Sequence, residues 1–303
     1  MKKSPRTIGL GILIFSLPIA TFTHVARAHH ASLVLSHYFG GRAGNCNLSE
    51  SFEGEALSRQ QLENVTNLRA FTKVVEKDDH FSRWRTPSGD FWMPTASGDA
   101  LIYDLGEQER NIYGNGVHKG DIVLDAGANV GVFVRKALAA GASKVIAIEP
   151  APENLECLRR NFAAEIADGR VVLYAKGVWD QDDVLKLKID PNDSAKDTFV
   201  RQIDNAQFLE VPLTTIDHLV AELHLPRVDF IKMDIEGAER KAVTGARETL
   251  KQFRPRMALC IYHIKGDEVE IPALVRQAVG DYKVSKSCLA ANNLIQPEVA
   301  FFN

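Results

Sequence analysis

"VLDAGANVGVF", residues 123–133, decides how the chain is read. A short apolar run ends in Asp125, and Gly127 and Gly131 then stand around Asn129. Such a stretch is a buried strand that stops abruptly, turns and starts a helix. The alternation continues outward. "DIVLDA" (121–126) and "KVIAIEP" (144–150) read as strands, and "VFVRKALAAG" (132–141) and "APENLECLRRNFAAEI" (151–166) as helices. Further on, "VDFIKMDI" (228–235) and "RMALCIYH" (256–263) read as strands, "AERKAVTGARETLKQF" (238–253) and "VEIPALVRQAVG" (269–280) as helices, and "YKVSKSCL" (282–289) and "PEVAFFN" (297–303) as closing strands. Apolar strands alternating with helices imply a mostly parallel sheet covered on both faces, an α/β fold. "DVLKLKIDPNDSAKDTFV" (183–200) reads as a polar hairpin.

In an open parallel sheet, ligands bind beyond the carboxyl ends of the strands, where the strand order reverses. The Gly127–Gly131 turn is therefore the expected site, and its glycines permit close approach of a ligand to the main chain. A dinucleotide fingerprint needs G-x-G-x-x-G, but Asn129 and Val132 occupy two of the three glycine positions. An acid at Asp125 also disfavours a pyrophosphate. Glu149, ending the next strand, can accept two hydrogen bonds from a ribose diol. The combination suits a nucleoside that carries positive charge and no pyrophosphate, as S-adenosylmethionine does.

"DAGANVG", "IAIEP" and above all "VDFIKMDIEGAERKAVTGARETL", followed by "ALCIYH", resemble the FkbM family of S-adenosylmethionine-dependent methyltransferases over roughly residues 120–265. The resemblance implies a Rossmann-like class I methyltransferase fold with a seven-stranded sheet, an antiparallel final hairpin, and O-methylation of a hydroxyl on a sugar or secondary-metabolite-like acceptor. Carried across residue by residue, it places Asp125, Gly127, Asn129 and Gly131 at the methionine portion, Glu149 at the ribose, and Asn154, Gly177, Val178 and Asp180 on the adenine side. Asp180 also reads as a solvated turn acid.

"KMDIEGAE" puts Asp234 and Glu236 at the end of a buried strand with side chains on one side, since strand side chains alternate. Carboxylates there serve a ligand or cap the following helix, as an acid at 236 or 239 would. A hydroxyl attacking a methyl group must lose a proton, so Asp234 is the first candidate base and His263, ending the neighbouring strand, the second. Glu236 completes the catalytic set. Metal assistance through Asp234, Glu236 and His263 is an open alternative, but no metal-specific spacing enforces it, and no metal ligand is assigned.

The composition limits the alternatives. The chain has 303 residues, 45% hydrophobic and 25% charged, with a net charge of -3, so no basic field draws nucleic acid. Its four cysteines, Cys46, Cys157, Cys260 and Cys288, form no CxxC pair, against a zinc site or a dense disulfide framework; Cys157 and Cys260 read as packed thiols. "MKKSPR" followed by "TIGLGILIFSLPIATF" (7–22) and Ala26-Arg27-Ala28 reads as a signal peptide or membrane anchor over residues 1–28. That segment points outside the cytoplasm or to a membrane, whereas the cofactor's supply points to the cytoplasm. Residues 29–95 form an N-terminal extension with a polar helix in 57–77 and an aromatic hairpin, "FSRWRTPSGDFWMP" (81–94), over a cleft; residues 96–303 form the methyltransferase domain. The rival functional readings are an exported binding protein that keeps the fold without its chemistry, and an NAD-dependent enzyme.

Overall fold

A computed structural model describes residues 30–291 and 293–303. The segment 1–28 read as a signal peptide or anchor, including the apolar run 7–22, lies outside the described residues. Among them, no helix is long and apolar enough to cross a membrane.

The chain opens with helix α1 (30–39) and α2 (Leu48–Phe71), whose Asn47 and Glu50 form a reciprocal capping box. Strands β1 (Lys73–Lys77), β2 (Phe81–Thr86) and β3 (Gly89–Pro94) make a small antiparallel sheet, so the helix expected in 57–77 stops at Phe71. The aromatic hairpin expected over 81–94 is the β2–β3 half, and its rings pack with Leu101, Leu105, Val132 and Cys157 instead of roofing a cleft. Helix α3 (Ala100–Glu109) leads into the main domain. There, β4 (Ile122–Ala126), α4 (Val132–Ala139), β5 (Lys144–Ile148), α5 (Pro152–Asn161), α6 (Ala163–Ala167) and β6 (Val171–Tyr174) follow in order. The helix expected over 151–166 breaks at Phe162, a buried ring that packs on Gly131 and beneath α4.

Strand β7 (Gly177–Val178) joins β8 (Asp183–Ile189) and β9 (Gln207–Thr214) in a separate sheet. The hairpin expected within 183–200 is reduced to one antiparallel bridge, Lys188 to Thr198, closed by mutual backbone hydrogen bonds of 2.9 and 3.0 Å; the strand partner of β8 is β9, across the long loop 190–206. That loop folds back over the main site. Helix α7 (Ile216–Glu222), β10 (Phe230–Met233), α8 (Glu239–Thr244), α9 (Arg247–Phe253), β11 (Arg256–Cys260), α10 (Asp267–Ala278), β12 (Val284–Ala291) and β13 (Leu294–Phe302) complete the chain. The helix expected over 238–253 divides at Gly245, where a Cβ would lie 2.1 Å from the Trp179 carbonyl; only a side-chain-free residue admits that crossing.

The seven-stranded sheet has the order β12-β13-β11-β10-β4-β5-β6, parallel throughout except for β13, which is antiparallel to both β11 and β12. This is the Rossmann-like methyltransferase architecture expected from sequence. Strand residues alternate between two cores: Leu124, Ile146 and Ile148 face α7 to α10, while Val123, Val145 and Ala147 face α4 and α5. Order reverses between β4 and β10, so the loops after Ala126 and Met233 share one crevice.

The N-terminal extension is stitched to the far edge of this sheet. Cys46 and Cys288 form a disulfide and Ser58 donates to the Ala290 carbonyl at 2.6 Å; beyond the extension, Arg110 pairs with Glu298 on β13 with side chains 1% and 5% exposed. One disulfide is therefore present where the scattered cysteines suggested no framework, because the fold brings together residues 242 apart in sequence. Cys157 and Cys260 are buried free thiols, as expected.

Candidate active site

Strand β4 delivers the chain into a turn whose backbone only glycine accepts. Gly127 has φ +75, and a Cβ there would sit 1.8 Å from the Asp234 carbonyl oxygen. The Gly127 and Ala128 amides donate to the Ile148 carbonyl at 3.0 and 3.1 Å. These bonds pin the turn between β5 and the loop after β10. Asn129 is itself left-handed, and its amide donates to Glu149 Oε2 at 2.9 Å.

Glu149 is 5% exposed, and its Oε1 accepts the Ala151 amide at 2.9 Å. Burial pushes its carboxyl above the usual range, and the two amides pull in the other direction. Each oxygen takes one backbone hydrogen bond and keeps further lone-pair capacity. Glu149, Gly127, Asn129, Gly177 and Val178 all line one cleft, together with Ile148, Leu187, Phe199, Asp234 and Glu236. The lining combines apolar walls with a few converging polar groups, the usual make-up of a small-molecule site.

Four expected cofactor residues lie behind or beside this cleft. Asp125 is 0% exposed and meets Lys232, its register partner on β10, at 3.1 Å. Its carboxylate therefore faces a lysine inside the sheet and does not line the cleft. Lys232 in turn donates to the Gly127 carbonyl at 2.6 Å, so the pair braces the turn from beneath. Gly131, at φ +94, caps α4 where a Cβ would lie 2.1 Å from the Phe162 ring. It packs against that ring and lines neither the cleft nor the second cavity that adjoins it. Asn154 is buried and donates to the Ser194 carbonyl at 3.2 Å, holding the loop over the cleft. Asp180 pairs with Lys241 at 2.7 Å, as a turn acid would.

The three expected catalytic residues do converge. His263 Nε2 lies 3.4 Å from Asp234 Oδ1 and 3.3 Å from Glu236 Oε1, while Nδ1 lies 2.9 Å from Glu239 Oε1. Tyr113 donates to Asp234 Oδ2 at 2.5 Å, and Arg201 pairs with Glu236 Oε2. Burial opposes charge on Asp234, yet His263, Lys232 and the Tyr113 hydroxyl outweigh it and hold the carboxyl below its usual range. Burial likewise opposes charge on His263, and Glu239 and Asp234 reverse that and raise its pKa.

Asp234 also lines a second cavity that shares Gly127, Asn129 and Ala195 with the first. Asp104 and Glu107 of α3 form its far wall with Tyr113, Phe133 and Lys232. Burial, reinforced by neighbouring carboxylates, pushes Asp104 up to about 7 and Glu107 up to about 8. Sequence reading missed Tyr113, Arg201, Lys232, Asp104 and Glu107. Of these, only Lys232 carried a signal, as a lysine inside the apolar run of β10. Glu239 was visible as a helix-capping acid, but its oxygens turn back to the preceding loop and accept the Ile235 and Gly237 amides at 3.0 and 2.9 Å, and no side chain caps α8.

With this geometry in view, the relatives can be placed. The sequence matches the methyltransferase FkbM domain over residues 125–282. It is 25% identical over 223 residues to 31-O-demethyl-FK506 methyltransferase FkbM of Streptomyces tacrolimicus, covering 63% of this chain and 86% of that protein. It is 26% identical over 186 residues to methyltransferase sdnD of Sordaria araneosa, covering 50% of this chain and 71% of that one. Among solved structures, a methyltransferase FkbM from Methylobacillus flagellatus superposes with TM-score 0.46 at 16% identity, covering 87% of this chain and 64% of its own. An S-adenosylmethionine-dependent methyltransferase from Agrobacterium tumefaciens gives 0.44 at 10% identity, with 75% and 71% covered. The chain belongs to the FkbM family of methyltransferases, whose cofactor is S-adenosylmethionine.

Proposed function

We propose that this protein methylates a hydroxyl oxygen of a small-molecule acceptor, of the sugar or secondary-metabolite kind. One observation carries the reading: Glu149 and Asp234 line the same cleft, so a molecule held at Glu149 extends to the carboxylate best placed to take a proton. The relative from Streptomyces tacrolimicus, named for methylating a 31-O-demethyl compound, supports an oxygen acceptor.

The residues fit S-adenosylmethionine. Gly127 clears space for the main chain to meet the ligand, Glu149 offers the ribose a carboxylate, and Val178, Leu187 and Phe199 give the adenine apolar walls. When bound, the cofactor supplies a methyl group made electrophilic by a positively charged sulfur. The acceptor enters from the second cavity, where Asp234 is reached from the other side. Asp234, held ionised, orients the acceptor hydroxyl and accepts its proton. Tyr113 occupies Oδ2 and leaves Oδ1 for that task. Glu239 fixes the ring of His263 behind it. Part of the rate enhancement comes simply from holding oxygen and methyl in line.

Calorimetric titration with S-adenosylmethionine, with NAD as the control, tests the cofactor half. Saturable binding is expected, weakened at least tenfold in Glu149→Gln that retains its native circular dichroism. Binding of NAD in preference would overturn the reading.

We also propose that the chain works in an oxidising compartment. The Cys46–Cys288 disulfide and the basic-then-apolar start of the sequence both favour export.

A further inference from the structure

The cluster after β10 is organised more tightly than proton transfer requires. Asp234 Oδ1, Glu236 Oε1 and His263 Nε2 all lie within 4.8 Å of one another, and each belongs to a group whose other polar atom is already engaged. Tyr113 holds Asp234 Oδ2, Arg201 holds Glu236 Oε2, and Glu239 holds His263 Nδ1. Among the described residues, neither His263 Nε2 nor Asp234 Oδ1 has a hydrogen-bonding partner. The His263 side chain is only 1% exposed.

Glu239 accepts two backbone amides and the Nδ1–H of His263, so Nε2 is the nitrogen that can ligate once its own proton is displaced. Nε2 and two carboxylate oxygens therefore converge on one point, where a proton or a metal cation balances the negative charge. Ligands whose second atoms are fixed by neighbouring carboxylates, hydroxyls and guanidinium groups are the usual surroundings of a metal. Glu236 sits at φ +55, a left-handed backbone costly for a non-glycine residue, and this turns its side chain toward His263.

We propose that Asp234, Glu236 and His263 form a three-ligand site for a divalent cation of the Mn²⁺, Fe²⁺ or Zn²⁺ kind, at the floor of the cleft. One imidazole nitrogen with two carboxylate oxygens suits that class better than a site made of oxygen alone. Asp234 and Glu236 are 19% and 14% exposed and line the cleft, and Asp234 also lines the second cavity, so the open coordination positions lie where the cofactor cleft meets the acceptor's entry. Three protein ligands leave room for two acceptor oxygens at once, and with the ion bound Asp234 Oδ1 serves as a ligand in place of the proton-accepting role it has in the metal-free reading. The acceptor class follows: a hydroxyl beside a second oxygen, as in a vicinal diol or a hydroxy-carbonyl unit. The Arg201 charge works against the cation, and the carboxylates of Asp234, Glu236 and Glu239 outnumber it.

This inference rests on the methyltransferase reading for its acceptor, and its test separates the two. Full-length protein cleared of metal by chelation is titrated with Mn²⁺ while electron paramagnetic resonance follows the free ion. One ion per chain is expected. His263→Gln and Asp234→Asn should each weaken binding at least tenfold, and Glu239→Gln by about 10–100-fold although it touches no ion. Circular dichroism confirms that each variant is folded. No saturable Mn²⁺ binding by folded wild type, or binding unchanged in His263→Gln, would overturn the site and leave a protonated histidine between two carboxylates. S-adenosylmethionine titrated into the metal-free protein reports separately: binding there with no Mn²⁺ binding sinks the cation site and spares the methyltransferase reading.

Discussion

Asp234 and Gly127 are locked together at atomic distance, and their substitutions should separate chemistry from architecture. Asp234→Asn keeps the Tyr113 contact and removes the charge, so turnover should fall about a hundredfold or more while S-adenosylmethionine affinity stays within about twofold. Kinetics beside calorimetry checks this, and a lost affinity would move Asp234 into the cofactor's surroundings. Gly127→Ala should do the opposite. Its Cβ has no room beside the Asp234 carbonyl and its φ is left-handed, so stability should drop by roughly 3 kcal/mol or more and cofactor binding with it. Chemical denaturation measures the first effect and calorimetry the second.

Helix α3 shows how one element can carry a penalty that the pattern of the sequence hides. It buries Leu101, Ile102 and Leu105, and the same turns place Asp104 and Glu107 in the wall of the second cavity. Their carboxyls ordinarily titrate near 3.8 and 4.5 and are pushed up here to about 7 and about 8. Between those limits the folded state holds more protons than the unfolded chain, so stability falls as pH rises from about 4 to about 8. Glu107→Gln should flatten that fall, read from denaturation midpoints at pH 5 and pH 8. An unchanged slope would mean that the carboxylate is already ionised in the folded protein. On this element the helix was not named from sequence, because the residues that matter face a cavity built by other segments.

At the scale of the whole molecule, the N-terminal extension is part of the active domain's architecture. Helix α2 lies along β12, the disulfide joins Cys46 to β12, and the buried Arg110–Glu298 pair ties the end of α3 to β13. Cys288→Ser should lower stability by about 2–4 kcal/mol, measured by denaturant unfolding without reductant. Protein drawn unreduced from its native cell and then unfolded should expose two reactive thiols of its four cysteines; four would contradict the oxidising compartment.

Sequence alone determined what depends on local pattern. Alternation of apolar runs gave the parallel sheet and both of its cores, the glycines around Asn129 marked the turn, and "KMDIEGAE" marked the second loop of the crevice. Residue identity at strand ends placed Glu149, Asp234, Glu236 and His263 correctly in one region, because neighbouring parallel strands end together. Tertiary structure decided which atoms face which. Asp125 turns to Lys232 because two oppositely charged residues fall in register inside the sheet, a pairing that spans 107 positions and leaves no local trace. Tyr113, Arg201, Asp104 and Glu107 reach the crevice from loops and a helix far away in sequence, and the Cys46–Cys288 bond forms for the same reason. Periodicity reports on which side of an element a residue lies; only packing of distant elements fixes its partner.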